Sequence, residues 1–325
     1  LIDGMGRTIV NLRISVTDRC NFRCTYCMPA DNVEFMDRSN LLSFEEIQRV
    51  AQIVSRMGIN RIRLTGGEPL MRKNLPVLIK MLNKIDGIDD IAMTTNAYFL
   101  KDQAQSLKDA GLKRLNVSLD ALDPGKFRDV NRRDCLQSVL DGLETARKVG
   151  FKSIKINAVA VRNFSETEIM GLIEMGRSEG FEIRFIEFMP LDTDRAWQQE
   201  QVFTGDQLLT ILQKEFESVE AVSRPDPSQP AEEFQIENGR IGIIRSVTAP
   251  FCDACNRIRI TADGAVRNCL FETGETPLRS LIRSGATDDE LMSVIRGCLA
   301  GKAKAHGINE DGFQPPDRPM YAIGG

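Results

Sequence analysis

The sequence predicts an α/β protein on a parallel sheet, flat or curled into a partial barrel. From Leu12 to about Glu187, short apolar runs alternate with amphipathic stretches, the pattern of repeated βα units. Residues able to carry chemistry also collect just past the ends of those runs, where parallel α/β architectures hold their ligands.

In order, strands are expected at Leu12–Val16, Arg61–Thr65, Asp90–Thr94, Arg114–Leu119, Ser153–Val161 and Glu182–Glu187. Helices are expected between them at Phe44–Met57, Asn74–Lys84, Leu100–Ala110, Leu136–Val149 and Glu166–Glu179, most ending near Gly. Ser43-Phe44-Glu45-Glu46 and Ser165-Glu166-Thr167-Glu168 each fit a capping box, in which Ser and Glu satisfy each other's backbone donors. Past Pro190 the character changes. Ser223 to Pro230 is a turn-rich linker or exposed loop. Arg240–Val247 and Arg257–Ile260 then read as β segments and Asp288–Gly301 as a helix. The expected division is 1–200 for the βα units and 201–325 for a smaller C-terminal region.

Composition excludes several classes. The 325 residues are 42% hydrophobic and 27% charged, as in an ordinary globular protein. A formal net charge of −4 argues against a general binder of nucleic acid or anionic membranes, so any anionic ligand must meet a local cluster of Arg and Lys. No apolar run reaches the roughly 18–20 residues of a membrane span. The expected compartment is reducing and cytoplasmic, because the cysteines are spaced for metal rather than for a disulfide framework.

Six of the eight cysteines form two triplets, Cys20, Cys24 and Cys27 near the start and Cys252, Cys255 and Cys269 near the end. Structural zinc and iron–sulfur sites usually take four protein ligands, so each triplet is one short. The only histidine, His306, cannot complete both. A four-iron cluster on three cysteines leaves one iron free for a small molecule, and two such clusters make a catalytic layout. Cys135 and Cys298 stand alone and read as buried hydrophobes.

Other unusual residues fall at the strand ends. Gly66-Gly67-Glu68-Pro69 follows the second strand, Thr94-Thr95-Asn96 ends the third, and Ser118-Leu119-Asp120 ends the fourth. Met189-Pro190 lies past the sixth. Each alone also reads as a turn signal. In Arg257-Ile258-Arg259-Ile260, a strand's period of two puts both guanidiniums on one face, next to Cys255. Guanidinium forks suit phosphate oxygens. There is no Gly-x4-Gly-Lys-Ser/Thr loop, so phosphates would be held by side chains.

On these residues the sequence resembles the radical S-adenosylmethionine (SAM) superfamily, whose Cys-x3-Cys-x2-Cys signature stands here as Cys20 to Cys27 with Tyr26 before the last Cys. Gly66-Gly67-Glu68-Pro69 matches that superfamily's second motif, which receives the SAM amino group. The resemblance implies a partial (βα)6 TIM-like barrel with a smaller C-terminal cluster-binding part. It also implies a four-iron cluster that cleaves SAM to a 5′-deoxyadenosyl radical.

Pro250 to Ile260, Arg267 to Phe271, Leu12 to Arg19 and Met320 to Gly325 narrow the resemblance to the MoaA family, the GTP 3′,8-cyclases of molybdenum-cofactor biosynthesis. That family's pattern implies two [4Fe-4S] clusters, on Cys20, Cys24 and Cys27 and on Cys252, Cys255 and Cys269. SAM would meet Tyr26, Gly66, Gly67, Glu68, Ser118 and Met189. GTP would meet Arg13, Arg63, Thr94, Lys155, Arg257 and Arg259, and Gly324 and Gly325 would reach into the active site. The implied reaction removes the 3′ hydrogen of GTP and joins C3′ to C8, giving 3′,8-cyclo-7,8-dihydro-GTP. Implied partners are a flavodoxin or ferredoxin as electron donor and the downstream cyclic pyranopterin monophosphate synthase, with the chain a monomer or homodimer. Two alternatives stand beside it: a radical SAM peptide-modifying enzyme with an auxiliary cluster, and a non-catalytic zinc or redox module.

Overall fold

The fold is taken from a computed structural model that describes residues 1–324. Its six expected strands are β1 Asn11–Ser15, β2 Arg61–Thr65, β3 Asp90–Thr95, β4 Arg114–Ser118, β5 Ile154–Ala160 and β6 Glu182–Glu187. Beyond them come β7 Val219–Ala221, β8 Glu232–Ile236, β9 Gly239–Ile244, β10 Arg257–Ile260, β11 Ala265–Arg267 and β12 Thr276–Pro277. The helices are α1 Phe44–Arg56, α2 Leu75–Asn83, α3 Leu100–Asp109, α4 Pro124–Asn131, α5 Leu136–Lys148, α6 Ile169–Glu179, α7 Gly205–Glu215, α8 Arg279–Arg283, α9 Asp288–Ala300 and α10 Met320–Ile323.

All twelve strands join one sheet in the order β12-β11-β10-β1-β2-β3-β4-β5-β6-β9-β8-β7. The run from β10 through β1 to β6 and on to β9 is parallel, and short antiparallel strands finish both ends. C-terminal residues therefore extend both edges of the βα core. The sheet is curled, since Arg257 from β10 and Ile244 from β9 line one cavity although six strands lie between them.

Alternation along each strand divides the molecule. Leu12, Ile14, Ile62, Leu64, Leu115, Val117 and Ile156 are at most 1% exposed and pack under the helices. Such burial of apolar side chains stabilises by roughly 1.5–3 kcal/mol each relative to exposure. Their neighbours Arg13, Arg63, Asn116 and Asn157 point the other way, into the cavity.

The capping box at Ser43 and Glu46 forms as expected. The one expected at Ser165 and Glu168 does not. Ser165 Oγ is drawn inward, accepting from the Val161 amide at 2.9 Å and donating to the Val159 carbonyl at 3.1 Å. Glu168 accepts from the Leu122 and Asp123 amides, so residues 165–167 form a 3-10 turn and α6 starts at Ile169. Tertiary partners outcompete the local cap.

Candidate active site

The concave face of the sheet encloses a cavity of about 380 Å³. Pairing register sorts its lining into rows. Arg13 on β1 lies opposite Arg63 on β2 and Arg259 on β10; one step toward the amino ends, Asn11 lies between Arg61 and Arg257. Arg114, Lys155 and Arg184 come from the facing wall.

These cations differ in their partners. Arg61 pairs with Asp226 at 3.0 Å, Arg114 with Asp90, Lys155 with Glu182 at 2.7 Å, and Arg184 with Glu182 at 2.5 Å and Glu233 at 3.4 Å. Among the described residues, Arg13, Arg63, Arg257 and Arg259 have no carboxylate within ion-pair distance. Burial, reinforced by neighbouring guanidiniums, holds Arg13 well below the usual arginine range. The same causes, burial first, bring Arg63 down to about 9 and Arg259 to about 10. Four uncompensated, crowded guanidiniums form a seat for a polyanion.

At the carboxyl ends of β1 to β4, the first triplet sits in the loop after β1. Its backbone is tied to α4 by Arg23 N to Asn131 O at 3.1 Å and Thr25 N to Val130 O at 2.9 Å. Burial is the main cause that pushes the Cys20 and Cys27 thiols up to about 12 and Cys24 well above its usual value; nearby negative groups, including the other thiols, add to it. Three such thiols have reason to ionise together only on a cationic centre. Among the described residues, no three His, Cys, Asp or Glu side chains converge as ligands of a single ion. A cubane, which binds each thiolate at a separate corner iron, suits a triplet of that kind, so the donor set fits a four-iron cluster.

Gly66 and Gly67 let the loop after β2 lie against the cysteine loop. A Cβ on Gly67 would come within 2.5 Å of the Arg19 carbonyl oxygen, and one on Gly66 within 2.6 Å of that of Thr17. Glu68 is 1% exposed and accepts from Leu70 N at 3.0 Å, Thr95 Oγ1 at 2.7 Å and Asn96 N at 2.7 Å. Its carboxylate holds that turn, while burial pushes its pKa up to about 7. Tyr26, Ser118 and Met189 line the cavity itself, and the Tyr26 hydroxyl donates to Asp120 Oδ2 at 2.6 Å.

The second triplet closes the far side of the cavity, with Cys252, Cys255 and Cys269 all in its wall. Cys252 to Ala254 form a 3-10 turn closed by Cys255 N on the Cys252 carbonyl at 3.0 Å. Its surroundings are cationic. Burial raises the Cys255 thiol, but Arg257 and Lys302 outweigh it, and the thiol is lowered. His306 is no ligand: its ring nitrogens meet the Ser246 carbonyl at 3.0 Å and the Ile308 amide at 3.2 Å.

Near the first triplet, Gly324 has φ +81, and its carbonyl accepts from Arg259 Nη1 at 2.5 Å. A Cβ there would lie 2.7 Å from Ser15 Cβ and 2.8 Å from Thr65 Oγ1. Gly325 lies outside the described residues.

The cavity thus brings together Arg13, Tyr26, Arg63, Thr94, Ser118, Lys155, Met189, Arg257, Arg259 and the second triplet. Gly66, Gly67 and Glu68 stand behind its lining. Sequence reasoning passed over Arg61, Arg114, Asn116, Asn157, Arg184 and Lys302. The signal was present for all but Lys302: the alternation applied to Arg257 and Arg259 also puts Arg61 with Arg63, and Arg114 with Asn116, on one face.

An open parallel barrel with three half-buried cysteines at the carboxyl end of its first strand defines a radical SAM protein. The profile of the radical SAM superfamily matches residues 14–176, and that of Molybdenum Cofactor Synthesis C matches 181–308. Among solved structures, SuiB of Streptococcus suis bound to S-adenosylmethionine has a TM-score of 0.64 at 13% identity, over 97% of this chain and 77% of that one. That likeness is one of fold. In sequence, the GTP 3′,8-cyclase of Rhodopirellula baltica is 52% identical over all of this chain and 92% of its own length. The GTP 3′,8-cyclase of Streptomyces coelicolor is 43% identical over all of this chain and 96% of its own. The chain belongs to the GTP 3′,8-cyclase family of radical SAM proteins.

Proposed function

We propose a division of labour by which this chain, a radical SAM GTP 3′,8-cyclase of molybdenum-cofactor biosynthesis, turns over its substrate. When bound, SAM and the clusters supply a 5′-deoxyadenosyl radical that takes the 3′ hydrogen of GTP. Cys20, Cys24 and Cys27 would hold the first cluster, and Tyr26, Gly66, Gly67, Glu68, Ser118 and Met189 would shape the SAM side. Cys252, Cys255 and Cys269 would hold the second cluster, which would bind the guanine end of the substrate. Arg13, Arg63, Arg257 and Arg259 grip the triphosphate, with Thr94 and Lys155 beside them. Held at both ends in this way, the ribose would be positioned between the phosphate grip and the base, so that these residues would act by positioning. The buried walls keep water from the radical.

The observation that carries this reading is the cluster of four guanidiniums, Arg13, Arg63, Arg257 and Arg259, that have no carboxylate partner among the described residues and line the cavity with the second cysteine triplet. An electron donor such as flavodoxin or ferredoxin and the downstream cyclic pyranopterin monophosphate synthase complete the scheme. Among the described residues no helix is long and apolar enough to cross a membrane, and a cytoplasmic location agrees with cysteines spaced for metal. Anaerobic protein incubated with SAM, a reductant and either GTP or a peptide tests the reading. A cyclised nucleotide with GTP supports it, and modification of peptide alone refutes it.

A further inference from the structure

The segment between β7 and β8 has the composition of a plain surface loop, yet it spans the amino-end mouth of the cavity. Asp226, Ser228, Gln229 and Pro230 all line that mouth. Three polar contacts pin the segment to the basic rows. Asp226 Oδ2 meets Arg61 Nη1 at 3.0 Å. The Ser228 carbonyl accepts from Arg257 Nη2 at 2.5 Å, and Ser228 Oγ accepts from Asn256 Nδ2 at 2.6 Å. The turn is held in shape by Asp226 Oδ1, which accepts from the Ser228 amide at 2.9 Å and the Ser228 hydroxyl at 2.6 Å.

A carboxylate and a carbonyl thus occupy the two outermost guanidiniums in the way phosphate oxygens would. The grip is a light one. The side chains of Arg61 and Asp226 are 43% and 41% exposed, and half-exposed pairs of this kind are weak. Apart from Arg257, the deeper unpaired guanidiniums Arg13, Arg63 and Arg259 take nothing from this loop.

We infer that residues 224–230 form an anion-mimicking gate over the phosphate end of the site, with Asp226 and the Ser228 carbonyl released when a triphosphate reaches Arg257 and Arg61. The gate rests on the reading that the triphosphate sits on these arginines. It makes the ligand compete with Asp226 for Arg61. An anion short of the outer row leaves the gate shut, so only a ligand long enough to reach Arg61 and Arg257 opens it.

The test measures GTP binding to the anaerobic protein carrying both clusters, for wild type, Asp226→Asn and Arg257→Ala. Asp226→Asn should tighten GTP by about two- to fivefold, the span of a half-exposed ion pair. Arg257→Ala should weaken it. Weaker Arg257→Ala binding with no tightening in Asp226→Asn overturns the gate alone; unchanged binding in Arg257→Ala overturns the triphosphate site beneath it. Hydrogen exchange on wild type gives a readout free of substitutions. GTP should speed exchange of the Ser228 and Gln229 amides, whereas protection there on GTP binding contradicts release of the gate.

Discussion

Arg259 donates from Nη1 to the carbonyl of Gly324 at 2.5 Å, which places the chain's tail on a guanidinium of the polyanion seat. Under the proposed function, tail and triphosphate would share that residue. Arg318 steadies the approach, pairing with Asp263 at 3.1 Å and Glu275 at 2.8 Å while donating to the Ala322 carbonyl at 2.8 Å. Gly324→Ala would strain a left-handed backbone and drive a Cβ into Ser15 and Thr65. The expected outcome is about tenfold less cyclised product or more, with SAM cleavage persisting uncoupled, read by comparing 5′-deoxyadenosine with cyclic nucleotide. Matching losses of both would place the tail outside the cyclisation step.

Unpaired and paired cations should differ in GTP affinity. Arg13→Ala and Arg259→Ala each remove a charge-assisted contact of roughly 1.5–3 kcal/mol, or about ten- to a hundredfold in Kd. Lys155→Met should cost less, because Lys155 is already neutralised by Glu182 at 2.7 Å. Arg259→Lys should recover part of the loss, since charge returns without the fork. Titration of GTP against each variant reads the order directly.

The two triplets should be separable by iron content. Wild type should bind about eight irons per chain and each single cysteine variant about four, taking four per cluster. Cys24→Ala should abolish SAM cleavage. Cys255→Ala should keep some cleavage and lose the cyclic product. Stoichiometric zinc in anaerobic wild type would contradict the assignment.

Gly67→Ala tests the close approach behind the first triplet. The added Cβ meets backbone atoms of Asp18 and Arg19 at 2.5–2.6 Å, where no flexible side chain can yield. Thermal melting should show a loss of about 1–3 kcal/mol, together with weaker retention of the first cluster. An unchanged melt would mean the loops have room to separate.

Asp120 gives a pH dependence of known sign. Burial pushes its carboxyl up to about 6 from 3.8, against the hydrogen bonds from Tyr26 and the Val159 amide. Between those values the folded state holds the proton more tightly than the unfolded chain, so this group's contribution to stability falls as pH rises and levels off above about 6. Asp120→Asn, which cannot ionise, should lose that slope. Denaturant midpoints of the cluster-free protein across pH 4–7 should therefore move in the variant's favour as pH increases.

Much of this was legible in the sequence, for physical reasons. Strands β1 to β6 and β10 lie where apolar alternation put them, because one face of each is buried under helices. The cysteine spacing is local and survives in the fold. What escaped depends on pairing between distant segments. No local pattern says that Asp226 will meet Arg61 across 165 positions, or that β9 and β10 will extend opposite edges of one sheet. The failed cap at Ser165 has the same origin in part, since Glu168 is taken by the Leu122 and Asp123 amides some 45 positions away, while Ser165 turns back to Val159 and Val161 just upstream. No motif singles out Lys302, yet it is 5% exposed beside the second triplet.

The most direct measurement uses GTP deuterated at C3′, incubated anaerobically with SAM, a reductant and the reconstituted protein. If the guanidinium row holds the triphosphate so that the ribose lies toward SAM, 5′-deoxyadenosine gains one deuterium and appears together with cyclised nucleotide. Unlabelled 5′-deoxyadenosine with intact GTP would contradict the account.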